Sequence, residues 1–395
     1  MSGKRDRKKR AEAARKQQLA RRRRVIYIAL GVIVAIAVAT TATILIGRAQ
    51  RMGRVLVYFP QGLEEQPYGV LAQALLPLEG SGDAGSQNGD DEDAESGIEL
   101  FGPEDGLEGE ERDVLIAPAP AGTAPATVVA ADPYLFTVDQ RAGVSPLEGG
   151  GGNLRDFEEW LGTLNRDRWL PLAVAGEEPL DFSAFVLYFA RELLPSESFA
   201  ILLNQLGMGT GPRPAAGWTN DDPERAEAMV QRLEPVINTL NGWKEQGLLA
   251  INWTNWNRIA LENAQITGRA AATFQRRSEM RSLDWEGRFH MRLRLPPVGP
   301  ERRVYGLLGR AVSVTGGEGP RADAAGEARE VLLNQATQNA IEAESSWSPV
   351  RLEGVPTNSE HRDVVRWIRG AEPFLLLDER VAEHPLFRRV HQLLR

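Results

Sequence analysis

The sequence predicts an α/β protein in which strands and helices alternate along most of its 395 residues. Short β-branched and aromatic runs predict buried strands, and amphipathic runs with cap residues predict helices. Because this alternation is typical of helices packed on a sheet, we expect α/β layers with a largely parallel sheet. The strand-like runs are RVLVYFP (54–60), DVLIAPAPAG (113–122), TVVAADPYLFTVD (127–139), FHMRLRLPPV (289–298) and VYGLLGRAVSVTGG (304–317).

Cap residues and apolar stripes predict where the helices lie. Asn153 can cap a helix whose apolar side chains share one face, and Asp181 can cap the run FSAFVLYFARELL. Residues 224–245 form a third amphipathic helix, which Gly247 ends. Further helices are expected around 323–344, 359–370 and 378–394.

The composition excludes several kinds of chemistry. There is no cysteine, which rules out a disulfide, a thiolate zinc site, a thiol nucleophile and lipid attachment through an N-terminal cysteine. Only four histidines occur, and none has the i, i+4 spacing of a helical metal pair. Neither a G-x-S-x-G nor a Walker A pattern is present. We therefore predict a protein that is not an enzyme, with no catalytic residue, no metal and no cofactor.

Charge divides the chain at an apolar run near the N-terminus. Residues 1–54 hold 15 basic and two acidic residues, whereas the remainder holds 31 basic and 52 acidic ones. Residues 25–47 are 23 consecutive uncharged residues. As a helix they would span ~34 Å, enough to cross a bilayer. With the basic tail 1–24 before it, the run predicts a single-pass inner-membrane signal anchor, a cytoplasmic N-terminus and a main domain in the periplasm or outside the cell.

Two alternatives to a retained anchor stay open. The basic tail has the composition of a nucleic-acid-binding segment, although its position next to an apolar run favours the membrane and no nucleic acid is expected as a partner. Ala37-Val38-Ala39 has the pattern of a signal-peptide cleavage site. The apolar run continues past it to Ile46, which favours an anchor that is kept.

An acidic, glycine-rich segment interrupts the first half of the chain. Residues 80–113 include DDEDAES and contain too few apolar groups to offset the entropy cost of ordering. We predict a disordered loop there, with IELFG (98–102) as a candidate short strand within it. A calcium site is the alternative, but the spacing of an EF-hand loop is missing.

The order of the segments resembles the extracellular solute-binding proteins of family 1, the receptors of ABC importers for sugars and related solutes. RDVLIAPAP is similar to a family strand that leads into a cleft loop. PYLFTVDQRAGVSP with NLRDFEEWLGTL resembles a strand, loop and helix of the family, with Asp139 where Asn is common. GEAREVLLNQATQNAIEAESSWSPVRLEG resembles a helix and loop further along. The resemblance covers most of residues 54–358.

The run ITGRAAATFQRRSEMRSL (266–283) resembles the family element in which a helix ends at glycine and a strand enters the cleft. Gly268 permits the positive φ of a helix stop. The small side chains of residues 270–272 let neighbouring backbones pack closely. Many sugar receptors of the family place a tryptophan after this strand, whereas this chain has Gln275 followed by two arginines.

The resemblance implies a two-lobed periplasmic-binding-protein-like fold with a hinge cleft, preceded by the transmembrane helix. Residues 54–150 would form the first lobe and residues 151–300 a mainly helical second lobe. Residues 301–395 would return to the first lobe and end in helices. It also implies solute capture by lobe closure and delivery to the subunits of an ABC permease.

Tryptophans and amides are the first candidates for ligand binding, because sugars present apolar faces and hydroxyl rims. The motif NWTNWN offers Asn252, Trp253 and Trp256, and on a helix the two indoles would share a face. Trp218 lies in a Pro/Gly-rich loop, and Trp347 directly precedes SPVR. Packing in the core is the alternative for each tryptophan.

Three polar side chains complete the candidate site. Arg276 and Arg277 could bind an anionic group of a ligand in a bidentate manner. Strand alternation lets only one of them face the cleft. Gln61 follows the first strand and could reach the cleft from the first lobe.

These observations predict a membrane-anchored protein that captures a small polar solute for an ABC transporter. A carbohydrate is the favoured class of solute. A tethered sensor or scaffold with a reduced cleft is the alternative function. A tethered glycosidase is a third, and it would need two carboxylates roughly 5–10 Å apart.

Overall fold

The structure is a computed structural model that describes the chain in separate ranges. These ranges are residues 55–59, 67–79, 98–101, 113–119, 127–147, 153–208, 223–283, 288–294, 307–314, 320–350, 362, 364, 368, 377 and 379–395. The predictions for the tail 1–24, the apolar run 25–47 and most of the acidic segment 80–113 concern residues outside these ranges. Within the ranges, no helix is both long enough and apolar enough to cross a membrane.

Nine strands in the described ranges are joined by hydrogen bonds in the order β2-β1-β3-β8-β4-β6-β5, with β7 and β9 also paired to β4. They are β1 (Val55–Tyr58), β2 (Ile98–Phe101), β3 (Val114–Pro118), β4 (Val128–Asp139), β5 (Leu170–Val174), β6 (Ala270–Arg276), β7 (Met291–Arg294), β8 (Leu307–Val314) and β9 (Ser348–Pro349). All nine strands belong to one compact unit formed by residues 56–80 and 98–395, except that Val55, the first residue of β1, lies outside it.

The prediction of a largely parallel sheet is wrong. The pairs β1–β3 and β5–β6 are parallel. The pairs β3–β8, β4–β8, β4–β6, β4–β7 and β4–β9 are all antiparallel. Strands β4 and β8 are antiparallel to every described neighbour. The alternation of strands and helices along the sequence could not predict this, because the pairing partners are distant in the chain.

Strand β4 connects two groups of strands. It is 12 residues long and buried throughout. Residues 128–133 pair with β8, whereas residues 134–138 pair with β6. The chain therefore passes from one group of strands to the other between Pro133 and Tyr134.

Twelve helices lie in the described ranges, and three predicted helices (224–245, 323–344 and 378–394) are each divided in two. They are α1 (Tyr68–Glu79), α2 (Leu154–Thr163), α3 (Pro179–Leu193), α4 (Ser196–Gln205), α5 (Pro223–Arg232), α6 (Glu234–Glu245), α7 (Arg258–Ile266), α8 (Arg277–Ser282), α9 (Pro320–Leu333), α10 (Gln335–Glu344), α11 (Glu379–Ala382) and α12 (Pro385–Leu394). The run 224–245 breaks at Leu233 because a proline occupies the first turn of α6. The run 323–344 breaks at Asn334, which caps α10 by accepting the Thr337 N–H at 2.9 Å.

Two local predictions are confirmed. Asn153 caps α2 by accepting the Asp156 N–H at 2.9 Å. Gly268 has a φ of 64°, and the alanines of residues 270–272 behind it are fully buried in β6. Most of the predicted helix 359–370 lies outside the described ranges.

The largest apolar cluster lies on the face of β4 and β6 that α3 covers. Phe136 of β4 contacts Phe274 of β6 with ring centroids 5.2 Å apart and Tyr188 of α3 at 5.5 Å. The C-terminal helix α12 packs on the same cluster, and Lys244 Nζ donates to the Leu394 carbonyl at 3.0 Å. The end of the chain is thus fixed to the helices that follow β4.

Candidate functional site

Charged side chains converge where β4 passes from one group of strands to the other. Arg276, the last residue of β6, lies directly opposite Tyr134 in the sheet register. Side chains from the start of α3, α7 and α8 reach the same place. We call the following six residues the crossover cluster: Asp132, Tyr134, Asp181, Arg258, Arg276 and Glu279.

Asp181 is the buried centre of the crossover cluster, with 1% of its surface exposed. Tyr134 Oη donates a hydrogen bond to Asp181 Oδ1 at 2.6 Å. Asp181 Oδ2 lies 3.5 Å from Arg258 Nε, an ion-pair distance without a hydrogen bond. The prediction that Asp181 caps its helix is wrong, because Pro179 moves the start of α3 upstream and Glu178 is the N-cap residue.

Glu279 pairs with two arginines, and Arg276 donates hydrogen bonds to it. Its Oε1 lies 2.8 Å from Arg258 Nε and 2.9 Å from Arg276 Nε, and its Oε2 accepts the Arg276 backbone N–H at 3.3 Å. The side chain of Arg258 is 43% exposed, whereas those of Arg276 and Glu279 are mostly buried. The crossover cluster therefore meets solvent mainly at Arg258.

The environment of Asp181 raises the pKa of its carboxyl group toward neutral pH. Burial raises the pKa of Asp181 to about 7, and the negative charge of Glu279 acts in the same direction. The hydrogen bond from Tyr134 and the positive charges of Arg258 and Arg276 lower this pKa and only partly compensate. Asp181 therefore exchanges a proton near neutral pH.

Asp132 connects β4 to α8. The backbone N–H of Ser278 donates to Asp132 Oδ1 at 2.9 Å, and the Ser278 hydroxyl donates to Oδ2. Burial raises the pKa of Asp132, while the charge of Arg276 and the hydrogen bonds from Ser278 oppose the rise. These bonds hold the first turn of α8 against the middle of β4.

The adjacent arginines Arg276 and Arg277 have different hydrogen-bond partners. Arg277 is fully buried, and its Nη1 donates to the Trp347 carbonyl at 2.5 Å and to Ser348 Oγ at 2.6 Å. Its Nη2 lies 3.2 Å from both carboxylate oxygens of Glu342. Burial lowers the pKa of Arg277 to about 10, against the opposing charge of Glu342. Arg277 thus joins the end of β6 to α10 and β9.

Trp347 packs against a cation instead of facing solvent. The guanidinium carbon of Arg310 lies 4.4 Å from the centroid of the Trp347 ring and 5.1 Å from that of Tyr68. Trp347 is buried. The structure therefore brings together two predicted site residues, Arg277 and Trp347, through contacts within the protein.

The motif NWTNWN separates its two tryptophans. Residues Trp253–Asn255 form a single 3₁₀ turn, so the indoles do not share a helix face as expected. Trp253 is 1% exposed and stacks on Phe182, with ring centroids 5.7 Å apart. Trp256 is half-buried, and its Nε1 donates to Asn252 Oδ1 at 3.2 Å. One indole belongs to the core, and the other lies near the surface.

Two predicted site residues, Gln61 and Trp218, lie outside the described residues. Within the described ranges, no group of three or more histidine, aspartate or glutamate side chains is arranged to bind a metal ion.

The sequence analysis missed five members of the crossover cluster, although two of them carry a signal. Asp132 and Asp181 are carboxylates inside otherwise apolar runs, VVAADPYLF and PLDFSAF. A carboxylate that becomes buried needs a hydrogen-bonding or cationic partner. These two positions therefore indicate a buried polar site even before the fold is known.

At its solvent edge, the cluster can donate and accept hydrogen bonds. Arg258 provides a guanidinium, and Glu279 next to it provides carboxylate oxygens. Such a pair suits recognition of a polar molecule by hydrogen bonds and charge.

No family model and no curated protein matches the chain. Solved structures, in contrast, match it over nearly their whole length. The bacterial solute receptor AcbH, described as having an exclusive preference for β-D-galactopyranose, matches with a TM-score of 0.59 and 11% identity, covering 87% of this chain and 97% of its own. A probable secreted solute-binding lipoprotein from Streptomyces coelicolor matches with a TM-score of 0.57 and 12% identity, covering 87% of this chain and 94% of its own.

A chitin oligosaccharide binding protein is similar as well, with a TM-score of 0.50 and 12% identity over 86% of this chain and 98% of its own. At such identities the likeness concerns the fold alone. The chain has a mixed α/β fold that matches the two-lobed solute-binding proteins.

Proposed function

We propose that the protein is an extracytoplasmic solute-binding protein that captures a small polar solute, a carbohydrate, for an ABC transporter. The observation that carries the proposal is the fold, which matches AcbH and the chitin oligosaccharide binding protein over nearly all of their lengths. The first is described as preferring β-D-galactopyranose, and the second is named for the chitin oligosaccharides it binds. Capture would occur by closure of the two lobes, without any bond being made or broken.

The proposed solute site lies at the solvent edge of the crossover cluster. Arg258 and Glu279 would donate and accept hydrogen bonds to solute hydroxyls. The half-buried indole of Trp256, two residues before Arg258, would cover an apolar face of a sugar ring. Gln61, Trp218 and Asn252 remain proposed contacts, and Arg276 supports the site by holding Glu279.

The proposal includes attachment to the inner membrane. Residues 25–47 would form the anchor, the basic tail 1–24 would lie in the cytoplasm, and the permease subunits would be the protein partner. The uncharged run and the positive charges before it support this arrangement.

One observation favours the alternative, a tethered sensor or scaffold that uses the same fold without transport. Three predicted ligand residues are occupied by contacts within the protein. Trp253 is stacked in the core, Arg277 is paired with Glu342, and Trp347 is covered by Arg310. A reduced cleft would show the same pattern.

A thermal-shift screen of the full chain in detergent, against sugars, polyols, amino acids and organic acids, separates the two functions. A solute that binds only the folded state at a hundredfold excess over Kd raises the free energy of unfolding by about 2.7 kcal/mol. We expect a shift with a sugar, and we expect Arg258→Gln and Glu279→Gln to reduce it. Arg155→Gln is the control, because Arg155 is exposed and pairs only with Glu159 among the described contacts.

Absence of a shift with every solute, from protein that melts cooperatively, would contradict the transport proposal and favour the scaffold. A shift that Arg258→Gln and Glu279→Gln leave unchanged would contradict the proposed site while leaving solute binding in place.

A further inference from the structure

The two carboxylate oxygens of Asp181 have different partners. Oδ1 accepts the short hydrogen bond from Tyr134, at 2.6 Å. Among the described residues, Arg258 is the one cation within ion-pair distance of Oδ2, and its guanidinium Nε lies 3.5 Å away, beyond a normal hydrogen bond. The same Nε is only 2.8 Å from Glu279 Oε1. Arg258 is thus shared unequally between a buried carboxylate and a partly exposed one.

The titratable and charged groups that act on Asp181 come from four elements. Tyr134 is on β4, Arg276 on β6, Arg258 at the start of α7 and Glu279 on α8. With Asp132, the crossover cluster holds three carboxylates against two guanidiniums, and the neighbouring Arg277, which also interacts with Asp132, is balanced by its own partner Glu342. A buried excess charge is costly, which favours the uptake of a proton. One bound proton would make the cluster neutral.

Asp181 is the carboxylate best placed to take up that proton. Glu279 is hydrogen-bonded to Arg276 and ion-paired with Arg258, and Asp132 accepts two hydrogen bonds from Ser278. Asp181 instead has one neutral donor and one distant cation. Its pKa, raised to about 7 by burial and by the charge of Glu279, agrees with this assignment.

We infer that Asp181 is a proton switch for Arg258. When Asp181 is ionised, its charge holds the guanidinium inside the crossover cluster. When Oδ2 takes a proton from solvent, the charge is lost, and Arg258 keeps Glu279 as its partner at the solvent edge. In this protonated state the guanidinium is held by Glu279 without the pull of Asp181, and it can turn outward with that partner.

The switch would regulate solute binding, and this part of the inference rests on the proposed function. A solute at the solvent edge would meet a guanidinium held by Glu279 below neutral pH and one that Asp181 also restrains above it. Solute uptake would then be coupled to uptake of one proton by Asp181.

The test measures how readily Arg258 is modified, and it needs no solute. The full chain is treated with p-hydroxyphenylglyoxal between pH 5.5 and 8.5, and mass spectrometry gives the modification rate at Arg258 relative to Arg155. The ratio removes the pH dependence of the reagent, because Arg155 has an 85% exposed side chain on the surface of α2. For a group titrating near 7, the protonated fraction falls about tenfold between pH 6 and 8, which sets the upper limit for the fall in the ratio.

Two variants make the test specific. Asp181→Asn keeps an acceptor for Tyr134 but cannot ionise, so the ratio should stay at its low-pH value throughout. Tyr134→Phe removes the hydrogen bond that favours the ionised form, so the transition should move to higher pH. Each variant supports or overturns the switch independently if the other does not fold.

A wild-type ratio that is constant with pH would overturn the inference. So would an Asp181→Asn ratio that falls with pH as in the wild type, or an unmoved transition in Tyr134→Phe. Failure of every solute to bind would refute the proposed function but not the switch, because the modification rate is measured without solute.

Discussion

Replacing Arg277 with methionine is expected to lower the free energy of unfolding by about 3–5 kcal/mol, the range for breaking a buried ion pair. Arg277 is fully buried and donates to the Trp347 carbonyl and to Ser348 Oγ. Without it, the largely buried carboxylate of Glu342 loses the guanidinium that lies 3.2 Å from both of its oxygens. Urea denaturation of the full chain at pH 7 measures the change.

Arg155→Met is the matched control for this prediction. Arg155 pairs with Glu159 at 3.0 Å on the surface of α2, where an ion pair contributes about 0–1 kcal/mol. A loss at Arg277 that is as small as the loss at Arg155 would contradict the view that Arg277 fixes the end of β6 to α10 and β9.

The second large effect is expected at Trp253. Its alanine variant should lose about 3–5 kcal/mol of unfolding free energy, because a fully buried indole leaves a cavity that the core fills only in part. The ring stacks on Phe182 and meets the edge of Phe185, with centroids 5.5 Å apart in the second contact. Thermal and urea denaturation give the loss.

Trp256→Ala separates packing from ligand binding, since Trp256 is half-buried in the same motif. We expect its loss of stability to be clearly smaller and its effect on the solute-dependent thermal shift to be larger. If Trp253→Ala instead kept full stability but abolished the solute shift, Trp253 would be a ligand contact and its assignment to the core would be wrong.

Features of the fold that depend on neighbouring residues could be predicted from the sequence. The run 127–139 has the β-branched and aromatic pattern of a strand, and β4 occupies it. Gly268 stops α7 and precedes buried alanines as expected. The direction of strand pairing could not be predicted, because β8 pairs with β3 and β4 across nearly two hundred residues of sequence.

The candidate site was predicted less completely, for a related physical reason. The sequence points to the end of β6, where Arg276 and Arg277 lie, but their partners come from distant segments. Glu342, for example, is 65 residues from Arg277. In the same way, a tryptophan in NWTNWN has no local sign of burial, since Trp253 is covered by Phe182 and Phe185 of α3. Only the carboxylates within apolar runs carried a local signal of the buried cluster.

Lobe closure on a solute is the central claim, and a distance between the two groups of strands tests it most directly. The chain has no cysteine, so a variant with Leu76→Cys in α1 and Glu159→Cys in α2 would carry spin labels at these two positions alone. Both positions are exposed. Pulsed electron paramagnetic resonance then measures the label separation in the full chain, with and without each sugar of the screen. The account predicts a shorter and narrower distance distribution with the sugar that raises the melting temperature. A distribution that no sugar changes, at saturating concentration, would contradict it.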